Sequence, residues 1–202
     1  MNEAVIIDNP AALTRSKRLK AATHDTHDRL DKAIMGHEPF SSRERYGLFV
    51  KMQHGFHRDI DALYDDAALD ALLPDLKGRR RFGQIGQDLA DLGMEALTYD
   101  AQPAFVAGAP ADLPTAIGWL YVAEGSNLGA AFLLKEALKL GLSETFGARH
   151  LAGAPEGRGL HWRTFTAALD KVALSDADEA RVVSGANAAF ARVHGLVDKM
   201  FA

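Results

Sequence analysis

Apolar residues recur along most of this chain at spacings of three and four, the period of an α-helix, and no segment alternates one by one as a strand would. The first such stretch is Thr14 to Met35, with Leu19, Ala22, Leu30, Ala33 and Ile34 as its apolar stripe. Ser41 with Glu44 predicts a capping box and a second helix running to about Tyr64, its buried face carrying Phe49, Phe56, Ile60 and Leu63. A third helix is predicted from Arg79 to Leu92, stopped by Gly93. Pro, Gly and Ala crowd the stretch from Tyr99 to Asp112, which reads as loop. A long helix follows, with Pro114 at a favoured first position and Gly141 just past its end. Residues 143–160 read as short irregular or helical pieces, and "HWRTFTAALDKV" as a further short helix. Ser175 with Asp178 caps the last helix, which carries Val182, Ala186, Phe190, Val193 and Val197 on one face. No internal repeat is visible. The pattern therefore predicts an all-α, single-domain helical bundle over 14–202, preceded by a flexible N-terminal segment, 1–13.

One feature conflicts with helical economy. In "VAEGSNLGAAFLLKEA" (122–137), Gly125 and Gly129 lie one turn apart inside the long helix. Glycine in a helix interior costs about 1 kcal/mol relative to alanine. Two on one face make a strip free of side chains, fit either for a second helix or for a flat ligand.

Composition narrows the partners. At 202 residues the chain is long enough for one domain with its own core. A net charge of -4 gives no electrostatic footprint for nucleic acid. The absence of cysteine excludes disulfides, zinc–thiolate sites, iron–sulfur clusters and cysteine nucleophiles within the chain. Met1–Arg15 has no apolar core of a secretory signal, so a cytoplasmic location is expected. The longest apolar stretch, Ala116 to Leu134, carries Glu124, Ser126 and Asn127 at its middle, which argues against a membrane span.

Candidate chemistry starts in "ATHDTHDRLDKAIM". His27 shares a helix edge with Thr23, Leu30 and Ile34 and is expected to be buried, whereas His24 falls with Lys20, Asp28 and Asp31 toward solvent. A histidine on such an edge is either a hydrogen-bonded core residue or an imidazole facing a cavity, able to ligate haem iron. Lys20 stands seven residues earlier, about 10 Å along the axis, within reach of a propionate if His27 held the iron. On the second helix Gln53 and His57 are i,i+4 on a largely apolar side, fit for satisfied core positions or for ordering water. His54-x-x-His57 is only a weak metal signal. In "KGRRRF" (77–82) one arginine is expected to turn inward to water or an anion.

Other chemistries drop out. There is no G-x-G-x-x-G after a strand and no Walker-type P-loop. No nucleophile elbow occurs, and no Glu-x-x-His of a di-iron bundle. The two His-Asp dipeptides of "THDTHDRLD" lie within one helical turn, unlike the dispersed ligands of metal phosphohydrolases.

With these residues assembled, the chain resembles the bacterial heme oxygenases of iron-acquiring Gram-negative bacteria. The resemblance runs from about Arg18 to Phe201. It is most specific in "AIGWLYVAEGSNLGAAFLLK" (116–135), "FGARHL" (146–151) and "GRGLHWRTF" (157–165), with "RLKAATHDTHDRLD" (18–31) as the ligand region. Pro155-Glu156-Gly157 and Met1–Thr14 depart from the family pattern.

The resemblance implies a haem sandwiched between a proximal and a distal helix. It implies His27 as the iron ligand and Gly125 and Gly129, with Ser126 between them, as the distal wall. Lys20 and Tyr121 match propionate-holding positions of the α-selective pattern; Gln53, His57, Arg81 and Trp162 match the distal water network, with His150 at its periphery. The implied reaction opens haem b with O₂ to biliverdin, mainly IXα, releasing CO and ferrous iron. Electrons would come from a separate reductase or ferredoxin, for iron acquisition or biliverdin supply, in a chain expected to be monomeric. A haem carrier on the same scaffold is the main competing expectation. A related thiamin-pyrimidine hydrolase would need the cysteine nucleophile that is missing here.

Overall fold

The structure is a computed structural model, which describes residues 13–202. The expected flexible segment therefore lies, apart from Leu13, outside the described residues. The described residues form seven α-helices in order: α1 (Arg15–Gly36), α2 (Arg43–Ile60), the single turn α3 (Ala67–Asp70), α4 (Phe82–Asp91), α5 (Leu113–Lys139), α6 (Arg158–Leu169) and α7 (Asp176–Phe201). Among the described residues there is no β-strand, only isolated bridges around Ser143.

The helices end where their chemistry dictates. Asp112 accepts the backbone N–H of Thr115 at 3.1 Å to start α5, with Pro114 in its first turn. Gly141 follows it at φ 73°, and Gly93 follows α4 at φ 66°. The capping box of Ser175 and Asp178 forms as predicted.

Three boundaries differ. Ser42, not Ser41, caps α2, accepting from the Arg45 N–H at 3.2 Å, while Ser41 Oγ donates back to Glu38 O at 2.8 Å in the preceding turn. The second helix tightens after Ile60 into a 3₁₀ turn over Asp61–Asp65. The third starts at Phe82 rather than Arg79, because Arg79 closes a separate 3₁₀ turn, Lys77–Arg79, with its side chain buried.

Helix α7 is the spine on which α1, α2 and α5 pack. Its contact with α5 is made by glycines the sequence pattern had not singled out. A Cβ on Gly118 would stand 2.2 Å from Val182 O, and one on Gly185 2.5 Å from Thr115 O, so the two backbones touch. The predicted apolar faces of α2 and α7 are buried. On α1 Leu19 and Leu30 are buried but Ala22 is exposed; Thr23 takes the inward place, its hydroxyl donating to Leu19 O at 2.8 Å. Arg15 anchors the start of α1: its guanidinium donates to Leu169 O and, at 2.7 Å, to Val172 O, and pairs with Glu179 at 2.7 Å. Helices α1 and α5 share α7 as support and make little direct contact with each other.

Candidate functional site

The glycine strip of α5 has no helix backbone against it. A Cβ on Gly129 would meet no atom within 4 Å, and one on Gly125 would meet only the Trp162 ring, at 3.6 Å. Beside them Leu128 and Phe132 are exposed, Phe132 by 54%. The strip is thus an apolar helix face left open, while the helix-packing glycines of α5 and α7 are Gly118 and Gly185. Ser126, between the two strip glycines, is exposed and spends its hydroxyl on Ala123 O at 2.7 Å.

One turn before Gly125, the Tyr121 ring lies 5.5 Å from Trp162, which stacks on Phe165 at 5.9 Å. Burial, with Asp170 nearby, pushes the Tyr121 hydroxyl above its ordinary value. Asp170 in turn accepts from Ser16, at 2.7 Å from its N–H and 2.9 Å from its hydroxyl. Asp170 thus lies between the surroundings of Tyr121 and the start of α1, where exposed Lys20 follows Ser16 by one turn.

His27 does not occupy the buried edge expected for it. Its side chain is 56% exposed, with Nδ1 3.5 Å from Asp31 Oδ2 and its ring edge-on to Phe190 at 5.8 Å. Thr23 and Leu30, on the same helix row, are buried on either side of it. The row is covered by neighbouring elements above and below His27 and open at it, so periodicity placed the row correctly and its coverage wrongly. His24 is solvated as read, facing Asp28 at 3.8 Å.

Behind α5 lies a buried polar pocket. Three buried atoms there have no hydrogen-bond partner among the described residues: His57 Nδ1, Arg81 Nε and His150 Nε2. Burial, then the neighbouring His150, Arg81 and His54, pushes the His57 imidazole down to about 3, so it is neutral. Arg81 donates from Nη1 to His150 O at 2.6 Å and Ala152 O at 3.3 Å. Gln53 is half-buried one turn before His57 on α2. His54 does not join His57 at a metal: it faces the Tyr99 hydroxyl at 3.3 Å, and no metal-binding group of three or more His, Cys, Asp or Glu occurs among the described residues.

The basic run divides three ways. Arg80 pairs outward with Asp61 at 2.6 Å and Asp65 at 2.9 Å. Arg81 turns into the pocket. Arg79 forms a fully buried pair with Glu124 at 2.9 Å, and Tyr64 OH donates to the other Glu124 oxygen at 3.4 Å. His161 Nε2 is 3.7 Å from Glu124, while its Nδ1 meets Glu156 at 2.7 Å. This second cluster, and Asp88 beneath His150, were missed by sequence reasoning. Both carried a signal: a carboxylate on an otherwise apolar helix face, Glu124 within 116–134 and Asp88 between Ile85 and Leu89.

A porphyrin fits what is present. It needs a ligand nitrogen at an opening, a flat face of backbone and apolar contacts, and cations at its carboxylate edge. The exposed His27, the Gly125–Gly129 strip with Leu128 and Phe132, and the exposed Lys20 are the residues that would answer these needs in turn. The orphaned atoms of the pocket call for ordered water. Cavities of about 650 and 700 Å³ elsewhere, one beside Arg163 and Lys171 and one under Ala104–Asp112, contain none of these residues.

Known proteins share this fold. Residues 13–199 match the family model described as heme oxygenase. Heme oxygenase PigA of Pseudomonas aeruginosa is 43% identical over 188 residues, 93% of each chain. The NO- and CO-bound heme oxygenase structure from Neisseria meningitidis superposes with a TM-score of 0.87 at 44% identity, covering 94% of this chain and 93% of that one. The haem complex of heme oxygenase-1 from the cyanobacterium Synechocystis shares the fold, with a TM-score of 0.70 at 16% identity over 93% and 92% of the two chains. With a family match over nearly the whole chain and relatives above two-fifths identity, this chain belongs to the heme oxygenase family.

Proposed function

We propose that this chain cleaves haem at a meso carbon, mainly to biliverdin IXα, with His27 as the axial ligand and the Gly125–Gly129 face of α5 as the distal wall. Haem is both substrate and cofactor: it supplies the iron at which O₂ is activated, and its own ring is oxidised. His27 would hold the iron through Nε2, leaving Nδ1, 3.5 Å from Asp31 Oδ2, on the side of that carboxylate. Glycines at 125 and 129 let the α5 backbone approach the opposite face and offer no side-chain acid there. Protons are instead held behind the helix, on water bound by His57, Arg81 and His150, with Gln53 at its edge. Lys20 and Tyr121 sit at one end of the site, where they would take the propionates and so set which meso edge meets the wall. Ser126, bonded to its own helix, shapes the strip without contributing a proton. Electrons come from a separate reductase or ferredoxin.

The observation that carries this reading is a glycine strip inside a helix that is open at Gly129 and bordered only by the Trp162 ring at Gly125. The test is turnover of the haem complex with a reductant, air and catalase, followed by chromatography of the products. Loss of the Soret band with biliverdin IXα is expected. A persistent Soret band without biliverdin would establish a haem carrier instead, and a β or δ isomer would refute the propionate assignment.

A further inference from the structure

Asp88 is fully buried on α4, on the apolar face with Ile85 and Leu89. Its carboxylate accepts four hydrogen bonds: from the backbone N–H of Arg149 and of His150, each at 3.0 Å, from Arg149 Nη1 at 3.1 Å, and from His150 Nδ1 at 2.7 Å. The last is short and charge-assisted, and the acceptor has no proton to give. Burial alone would raise the Asp88 carboxyl, but the His150 ring and the two backbone N–H groups hold it below its ordinary value. His150 is equally buried, and burial, with Arg81 adding to it, holds its imidazole neutral despite the carboxylate. A neutral ring that donates from Nδ1 has a lone pair on Nε2. That Nε2 is one of the three orphaned atoms of the pocket.

The other two define the pocket's polarity. Arg81 Nε can only donate. His57 is neutral and has one nitrogen of each kind. Arg81 stands close enough to bond the His150 carbonyl at 2.6 Å, and Arg158, which holds Asn127 O of α5 at 2.9 Å, lies beside it in the field of the same pocket.

We propose that Asp88 is a positioning residue: by fixing His150 as the Nδ1–H tautomer it presents an acceptor to the pocket opposite the Arg81 donor, so that water between them is held in one orientation. A water accepting from Arg81 and donating to His150 has one remaining hydrogen, available to His57, the third orphaned group. Its oxygen keeps a second lone pair to receive a replacement proton. Direction is what a relay needs and what a pocket of donors alone would lack. The role in turnover rests on the heme oxygenase reading above; the tautomer does not.

The test uses both forms of the protein. In the haem-free protein, long-range ¹H–¹⁵N correlation spectra of the histidines at pH 7 should show His150 protonated at Nδ1 and bare at Nε2. Asp88→Leu removes the acceptor that holds the proton on Nδ1 and should populate the Nε2–H form. Arg149→Ala removes the other charged partner of Asp88 and should leave the tautomer in place. In the haem complex, Asp88→Leu should lower turnover roughly tenfold or more while haem affinity stays within about twofold. Wild-type protein protonated at Nε2 overturns the proposal whether or not any variant folds. A folded Asp88→Leu that keeps the Nδ1–H form alone overturns it too, and a switched tautomer with unchanged turnover overturns its part in the reaction. Failure of the wild-type enzyme to form biliverdin refutes the functional reading and leaves the tautomer result standing.

Discussion

Replacing Gly129 with alanine should make the haem-free protein more stable. An added Cβ meets no atom within 4 Å, so nothing offsets the gain in helix propensity, about 1 kcal/mol. Gly125→Ala should behave alike, since its Cβ would rest at an ordinary 3.6 Å from Trp162. For a chain of this size 1 kcal/mol corresponds to roughly 2–4 °C in Tm. Gly118→Ala should do the reverse. Its Cβ would stand 2.2 Å from Val182 O, and the α5–α7 crossing must spread, costing about 1–3 kcal/mol as overpacking does. Thermal unfolding followed by circular dichroism measures all three, and haem titration and turnover complete the set. Gly125→Val keeps its helix content and should lose haem binding or turnover, because the branched side chain stands in the strip. Gly129→Ala with a lowered Tm would show that the strip packs against protein. Normal turnover by Gly125→Val would remove the distal-wall role.

Two further predictions concern the histidines. His57 is held at about 3 against an ordinary 6.5, so the unfolded chain binds the extra proton first. Its contribution to stability is complete above about pH 6.5 and is lost as pH falls toward 3, by about 2 kcal/mol between 6.5 and 5. Urea unfolding of wild type and His57→Phe at pH 7 and 5 should show the variant losing about 2 kcal/mol less, and equal losses would place the His57 ring in water. His27→Ala should abolish the low-spin, histidine-ligated absorption spectrum of the haem complex; an unchanged spectrum would mean that another residue ligates the iron.

Much of this fold is legible before folding because local chemistry and tertiary role agree. Pro114 and Gly141 bracket α5, and the apolar rows of α2 and α7 become core without exception. Ser41 and Ser42 show the limit: Ser41 alone satisfies the box with Glu44, yet the turn through Glu38, at φ 48°, sets the phase that gives the cap to Ser42. His27 shows a second limit. Periodicity names a helix row but not which part another element covers, and the opening exists because α1 and α5 both lean on α7. One arginine of 77–82 is expected to turn inward to water or an anion, yet two do: Arg79 to Glu124, a partner periodicity does not supply, and Arg81 to the His150 carbonyl. The glycine strip itself is visible in the sequence, but that α5 and α7 touch at Gly118 and Gly185 and not at the strip is visible only in the fold.

The weak join between α1 and α5 bears on how the catalytic cycle ends. On the proposed reading haem would bridge them as a keystone does, held by His27 on one side and resting against Leu128 and Phe132 on the other. A substrate that is also the keystone would be consumed in each cycle. Opening the ring and releasing the iron would remove what joins the two helices and leave each resting on α7 alone. The chemistry that finishes the product would then also unfasten it.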